Sequence, residues 1–218
     1  AWGTIEANAQ DIKERILDIL EETGCRKVNI IAHSKGGLDA RYMISALGMG
    51  DKVASLTTIS TPHRGCRFVD ILSRMPDGVY RWIAGLMDRN FRKLGDTHPD
   101  FYAASHQFRT DFAAKFNEEV RDDPRVYYQS YASVMKNCLS DWILTIPYLM
   151  IRAVDGESDG LVTVPSAQWG DFQGVFRSKY RRGVSHGDII DLHREDYRGF
   201  DVVETHAAMV SRLKRLGL

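Results

Sequence analysis

Between Val28 and Asp39 the chain reads VNIIAHSKGGLD, an apolar run that becomes a helix-like pattern across one residue, Ser34. A strand that turns into a helix so abruptly bends its backbone sharply. The turn closes when the residues two before and two after it are nearly without side chain; here they are Ala32 and Gly36. Gly37 is a second glycine that lets the new helix pack close. A serine in this position stands above the end of a sheet with its hydroxyl in a cleft.

The flanking sequence supplies the rest of such a sheet. Ile5, Ala9, Ile12, Ile16 and Leu20 recur at helical spacing, and Gly24 offers the left-handed stop that a helix there needs. Residues 26–31 read as a strand covered on both faces. Residues 35–47 read as a helix stopped by Gly48, and residues 53–60 (VASLTTIS) as the next strand. Helix, strand, helix and strand with short joins predict an α/β fold with a mostly parallel, doubly wound sheet. At 218 residues one domain, 1–218, accommodates it.

Residues 61–125 carry no convincing strand and far exceed an ordinary connection. Phe101, Phe108, Phe112 and Phe116 fall on one helical face there. The segment is therefore expected to form a helical cap, with a small core of its own, an apolar inner face over a cleft, or both. Strand character returns at Val126–Ala132. Residues 139–151 read as a helix bent at Pro147, residues 174–180 as a last strand, and the final helix begins near Tyr197 or Asp201.

Composition narrows the function classes. Lys plus Arg and Asp plus Glu both total 29, so no net field points to nucleic acid or an anionic membrane. The basic cluster 179–182 (KYRR) reads as a solvated strand end. Cys25, Cys66 and Cys138, odd in number and widely spaced, read as buried free thiols rather than a disulfide framework or zinc site. No apolar run approaches the ~18 residues of a transmembrane helix, and the longest, Trp142–Ile151, contains Pro147. The compartment is left open.

A nucleophilic serine needs a base and a group to orient that base, and in this fold class they follow in the order serine, acid, histidine. Asp159 lies in a turn before an apolar run, and His186 in a loop after the last expected strand. His63 precedes Asp159, His98 and His106 fall in the cap, and His193 and His206 look like helix-surface residues. Ser34, Asp159 and His186 are therefore the candidate triad. His186 would take the Ser34 proton and Asp159 would hold the imidazole tautomer. The backbone N–H of Lys35, at a helix N-terminus, is one candidate oxyanion donor. The usual second donor comes from a loop after an earlier strand, and only helix precedes the strand that leads into Ser34 here.

Taken in order, Ile31–Gly37, Ser60–Gly65 (STPHRG), Val126–Tyr128, Ser158–Val162 (SDGLV) and Tyr180–Asp188 (YRRGVSHGD) resemble bacterial triacylglycerol lipases of the α/β-hydrolase superfamily. The likeness is to the Pseudomonas and Burkholderia type, with Ala32 in place of the first elbow glycine as in Bacillus lipases. It implies a serine carboxylic-ester hydrolase with the triad above, and a structural or cleft-lining role for His63. Ser158 stands where the family has asparagine. The resemblance further implies roughly fifty to seventy preceding residues, whose strands and His-Gly loop complete the sheet and the oxyanion hole. That N-terminal segment is an expected partner of this chain. It also implies a structural calcium ion near the histidine loop, with Asp188 and Asp141 matching the two aspartates. Leu192 and Asp196 do not match the weaker ligands, and helix-capping or surface aspartates are the alternative. No cofactor is expected for the chemistry itself. Acyl transfer to an alcohol would use the same triad. A non-catalytic lipid- or partner-binding domain is the reading that the missing second donor favours.

Overall fold

The N-terminal apolar repeat forms helix α1 (Ile5–Thr23), opened by Thr4, whose hydroxyl accepts the Ala7 N–H, and ended by Gly24 at φ 68°. The computed structural model describes residues 3–93, 100–192 and 199–218. After α1 come strand β1 (Val28–His33), helix α2 (Lys35–Ser45) and strand β2 (Val53–Ile59). Helices α3 (Arg67–Ser73), α4 (Asp77–Lys93), α5 (Phe101–Ser105) and α6 (Thr110–Glu119) follow, with a 3₁₀ turn at His106–Phe108. Strand β3 (Tyr127–Ser133), helices α7 (Thr145–Val154) and α8 (Val164–Ala167), strand β4 (Asp171–Phe176), a 3₁₀ turn at Asp188–Ile190 and helix α9 (Val202–Arg215) complete the described chain.

The four strands are parallel and lie in chain order, β1-β2-β3-β4. Alternation along β1 sends side chains to both faces. Ile30 and Ala32 join Ala9, Ile16, Met43 and Ile44 of α1 and α2, whereas Ile31 packs in a cluster with Met209 of α9. Helices thus cover both faces, which is what a buried parallel sheet requires. Among the described residues no strand pairs with the outer edge of β1.

Several local expectations change. The four cap phenylalanines do not share one helical face, because the chain turns at His106–Arg109 between α5 and α6. Phe101 and Phe108 pack with Phe68, Val69 and Leu72, while Phe112 and Phe116 pack with Ile5 and Leu38. Pro147 bends nothing: it sits in the first turn of α7, where its missing N–H has no intrahelical partner to lose. The last strand begins at Asp171 rather than Gly174. Gly174, at φ 131°, pairs with Tyr131 just past the register shift between Ser130 and Tyr131, the irregularity a glycine there accommodates.

A buried polar network ties α2 to the end of α6 and the residue that follows it. Arg41 is fully buried, donates to Asn117 Oδ1 (2.8 Å) and to the Val120 carbonyl (3.0 Å), and lies 3.7 Å over the Trp169 ring. His63 belongs to this network. Arg41 Nη1 approaches its Nδ1 at 3.4 Å and can only donate, so His63 Nε2–H donates to Thr58 Oγ1 at 3.0 Å. Burial, reinforced by the charges of Arg41 and Arg64, holds this imidazole well below its ordinary pKa and therefore neutral. His63 is structural.

Candidate active site

Ser34 joins β1 to α2 at φ 54°, ψ −133°, a left-handed φ that costs energy for any residue with a Cβ. The end of β2 holds it there. The Ser34 N–H donates to the Ile59 carbonyl (3.0 Å), and its own carbonyl accepts Thr61 Oγ1 (2.8 Å) and the Gly37 N–H (3.1 Å). The steric demand at the elbow falls on a different glycine from the one the motif suggests. A Cβ on Gly36 would meet nothing within 4 Å, whereas one on Gly37 would lie 2.2 Å from Thr61 Oγ1.

The expected triad residues meet, although they are far apart in the chain. Ser34 Oγ lies 2.9 Å from His186 Nε2, and His186 Nδ1 lies 2.8 Å from Asp159 Oδ2. The His186 backbone N–H donates to the Asp159 carbonyl at 2.9 Å, so the two loops are also tied through the main chain. Asp159 is fully buried, and its second oxygen accepts the N–H groups of Leu161 (3.0 Å) and Val162 (2.8 Å). Burial pushes its pKa up. The charge of His186, the hydrogen bond to that ring and the two N–H groups outweigh burial, so the carboxyl stays below its ordinary value and ionised. The His33 ring sits 4.4 Å from His186; burial and the neighbouring charge hold it down at about 3, so it adds no competing cation.

Lys35 opens α2, and its backbone N–H belongs to the first turn, where helical N–H groups lack intrahelical partners. Its side chain turns to Asp39, Nζ to Oδ1 at 2.6 Å, while Asn8 Nδ2 donates to Asp39 Oδ2 at 2.9 Å. Burial raises the Asp39 pKa, against the pull of Lys35 and Asn8. This buried pair was not legible as part of the site, although the i,i+4 spacing of Lys35 and Asp39 allows it.

Ser34 and His186 open into a cavity of about 440 Å³ walled by Phe68, Val69, Phe101, Phe108, Leu161 and Ile190. Such a volume and largely apolar wall suit a small organic group rather than a polymer or an ion. Of the remaining histidines, His106 packs edge-on against Tyr80 and Tyr102, and His206 Nδ1 lies against its own helix at the Val202 carbonyl. His98, His193, Asp196 and Tyr197 lie outside the described residues. Cys66 is buried but Cys25 is exposed and Cys138 half-buried, which corrects the expectation of three buried thiols.

Asp141 and Asp188 are both buried and both contact Ser185, the residue before His186. Each carboxylate oxygen already accepts a hydrogen bond. Asp141 takes the Ile143 N–H and the Ser185 hydroxyl, and Asp188 takes Arg182 Nη2 and the Ser185 N–H. Calcium takes six to eight oxygen ligands. Among the described residues no group of three or more acidic, histidine or cysteine side chains converges here. One of the two carboxylates expected for calcium, Asp188, already faces the Arg182 guanidinium at 3.2 Å. Arg182 is thus half-buried and paired, not part of a solvated strand end.

Residues 4–157 match the family described as alpha/beta hydrolase fold. Triacylglycerol lipase 2 of Saccharomyces cerevisiae is 28% identical over 199 residues, which are 87% of this chain and 55% of that protein. The chain thus spans about half the length of this curated relative. A triacylglycerol lipase of Vibrio cholerae is 27% identical over 248 residues, covering 100% of this chain and 76% of that protein. The crystal structure of the mature Bacillus licheniformis lipase BlEst2 superposes with a TM-score of 0.65 at 21% identity, covering 87% of this chain and 70% of that one. No helix among the described residues is long and apolar enough to cross a membrane. A family match over more than half of the sequence, on a parallel sheet whose serine elbow carries an aligned histidine and aspartate, identifies the chain as a member of the α/β-hydrolase fold family.

Proposed function

We propose that this chain carries the catalytic centre of a serine carboxylic-ester hydrolase of lipase type. The observation that supports it most is the unbroken relay from Asp159 through His186 to Ser34, at 2.8 and 2.9 Å. His186 Nε2 takes the hydroxyl proton as Ser34 Oγ bonds to the ester carbonyl carbon. The tetrahedral oxyanion collapses, the C–O bond to the alcohol breaks, and His186 returns the proton to the leaving alkoxide. Water then repeats the sequence on the acyl-enzyme. The Lys35 N–H supplies one oxyanion donor, aided by the positive end of α2.

The apolar cavity wall and the lipase relatives support an acyl ester of lipidic character as substrate. Helices α3 to α6 act as a cap that opens for it. The outer edge of β1, which no strand pairs among the described residues, supports a further N-terminal segment of the same protein, adding strands and the second oxyanion donor. The expected lack of a second donor favours another reading, a lipid-binding domain without turnover. A fluorophosphonate probe separates the two. Hydrolysis predicts a covalent adduct on Ser34, absent from Ser34→Ala, whereas an unlabelled but folded protein would leave the binding reading.

A further inference from the structure

The position of His186 depends on a short loop, residues 183–188, whose fastening is not explained by the triad itself. Gly183, at φ 81°, crosses Met135 in an isolated antiparallel bridge, and a Cβ there would lie 2.4 Å from the Lys136 nitrogen. Beyond this pivot the loop is held by polar contacts. The Ser185 hydroxyl donates to Asp141, the Ser185 N–H donates to Asp188, and the Asp188 N–H returns to Ser185 Oγ at 3.2 Å. Asp141 and Asp188 bring two buried carboxylates together around one serine, an arrangement that repels itself unless a cation answers it.

Arg182 answers it. Its Nε donates to the Ser140 carbonyl and its Nη2 to Asp188 Oδ1 at 3.2 Å, so one planar group spans from the 140–141 turn to the far side of His186. Only a fork of fixed geometry can serve both directions at once. We propose that Arg182 is the positioning residue of the His186 loop, its guanidinium tying Asp188 to the Ser140 carbonyl, beside Asp141, and supplying the positive charge that a bound calcium ion would otherwise supply. The chain consequently needs no divalent cation to align its base. This inference rests on the reading of Ser34 and His186 as the reacting pair.

The test compares the wild type, Arg182→Ala and Arg182→Lys in ester hydrolysis and in thermal unfolding, each with EDTA and with millimolar calcium. Wild-type turnover and unfolding midpoint should be the same in both. A chelator-sensitive wild type restored by calcium would overturn the proposal. Arg182→Ala, assayed well below its own midpoint, should lose about 10- to 100-fold in kcat with KM within about twofold, the signature of a displaced base rather than a lost substrate contact. Arg182→Lys should recover only part, since an ammonium cannot fork. A folded Arg182→Ala with unchanged kcat would also overturn it. If that variant does not fold, Arg182→Lys and the wild-type chelation series still decide. A wild type that neither hydrolyses esters nor takes a fluorophosphonate would instead refute the functional reading, leaving calcium-independent unfolding as the measure of this one.

Discussion

Replacing Asp159 by asparagine tests how the relay is built. The side chain keeps its shape, so packing is preserved. Its two oxygens are not equivalent, however: Oδ1 accepts two backbone N–H groups, from Leu161 and Val162, while Oδ2 faces His186 Nδ1. The new amide must turn its oxygen toward the two backbone donors, because the opposite orientation would bury two N–H groups against an NH₂. That places the NH₂ against His186 and makes Nδ1 an acceptor. The imidazole proton then sits on Nε2, 2.9 Å from Ser34 Oγ, and the ring can no longer accept the serine proton. A wrong tautomer in an otherwise intact Ser-His-Asp site costs about 10⁴ in kcat, near 5 kcal/mol. Steady-state hydrolysis of a p-nitrophenyl ester, with unfolding curves to establish equal folding, measures it. A well-folded Asp159→Asn that keeps kcat within tenfold of wild type would refute the tautomer argument.

Three further outcomes are expected. Gly37→Ala drives a Cβ into Thr61 and should destabilise by about 1–3 kcal/mol, whereas Gly36→Ala, whose Cβ meets open space, should cost under about 1 kcal/mol in chemical denaturation; the reverse ranking would contradict the elbow assigned here. Arg41→Ala leaves Asn117 Oδ1 and the Val120 carbonyl without their donor and should cost about 2–5 kcal/mol, a value that denaturant titration would contradict by falling below about 1 kcal/mol. His33, held at about 3 in the fold against an ordinary 6.5, binds no proton over a range where the unfolded chain does. The His33 contribution to stability is therefore full above about pH 6.5 and declines toward pH 3, at no more than about 1.4 kcal/mol per pH unit. Denaturation of His33→Asn across this window should give a flatter slope, and an unchanged slope would contradict the assignment.

How much of this was readable in advance depended on the range of each interaction. The elbow was legible because strand, serine and glycines are neighbours in sequence, and Asp159 and His186 because chain order restricts which acid and histidine can serve. The parallel sheet followed from short helix-strand alternation. What escaped were contacts whose partners lie far along the chain. Arg41 meets Asn117 and Val120, and Arg182 meets Ser140, at separations where no periodicity connects them. A charged residue in such a place looks like surface until the partner is seen. The cap illustrates the converse failure. Its phenylalanines keep helical spacing across Arg109, but the break between α5 and α6 sends one pair to the cavity side and the other to α1 and α2.

The central claim, that Ser34 is the nucleophile, meets its most direct test in the turnover of Ser34→Ala. With unfolding midpoint and circular dichroism matched to wild type, kcat for ester hydrolysis should fall by at least about 10⁴. Hydrolysis persisting within tenfold of wild type in that variant would contradict the account, whatever the geometry of His186 and Asp159.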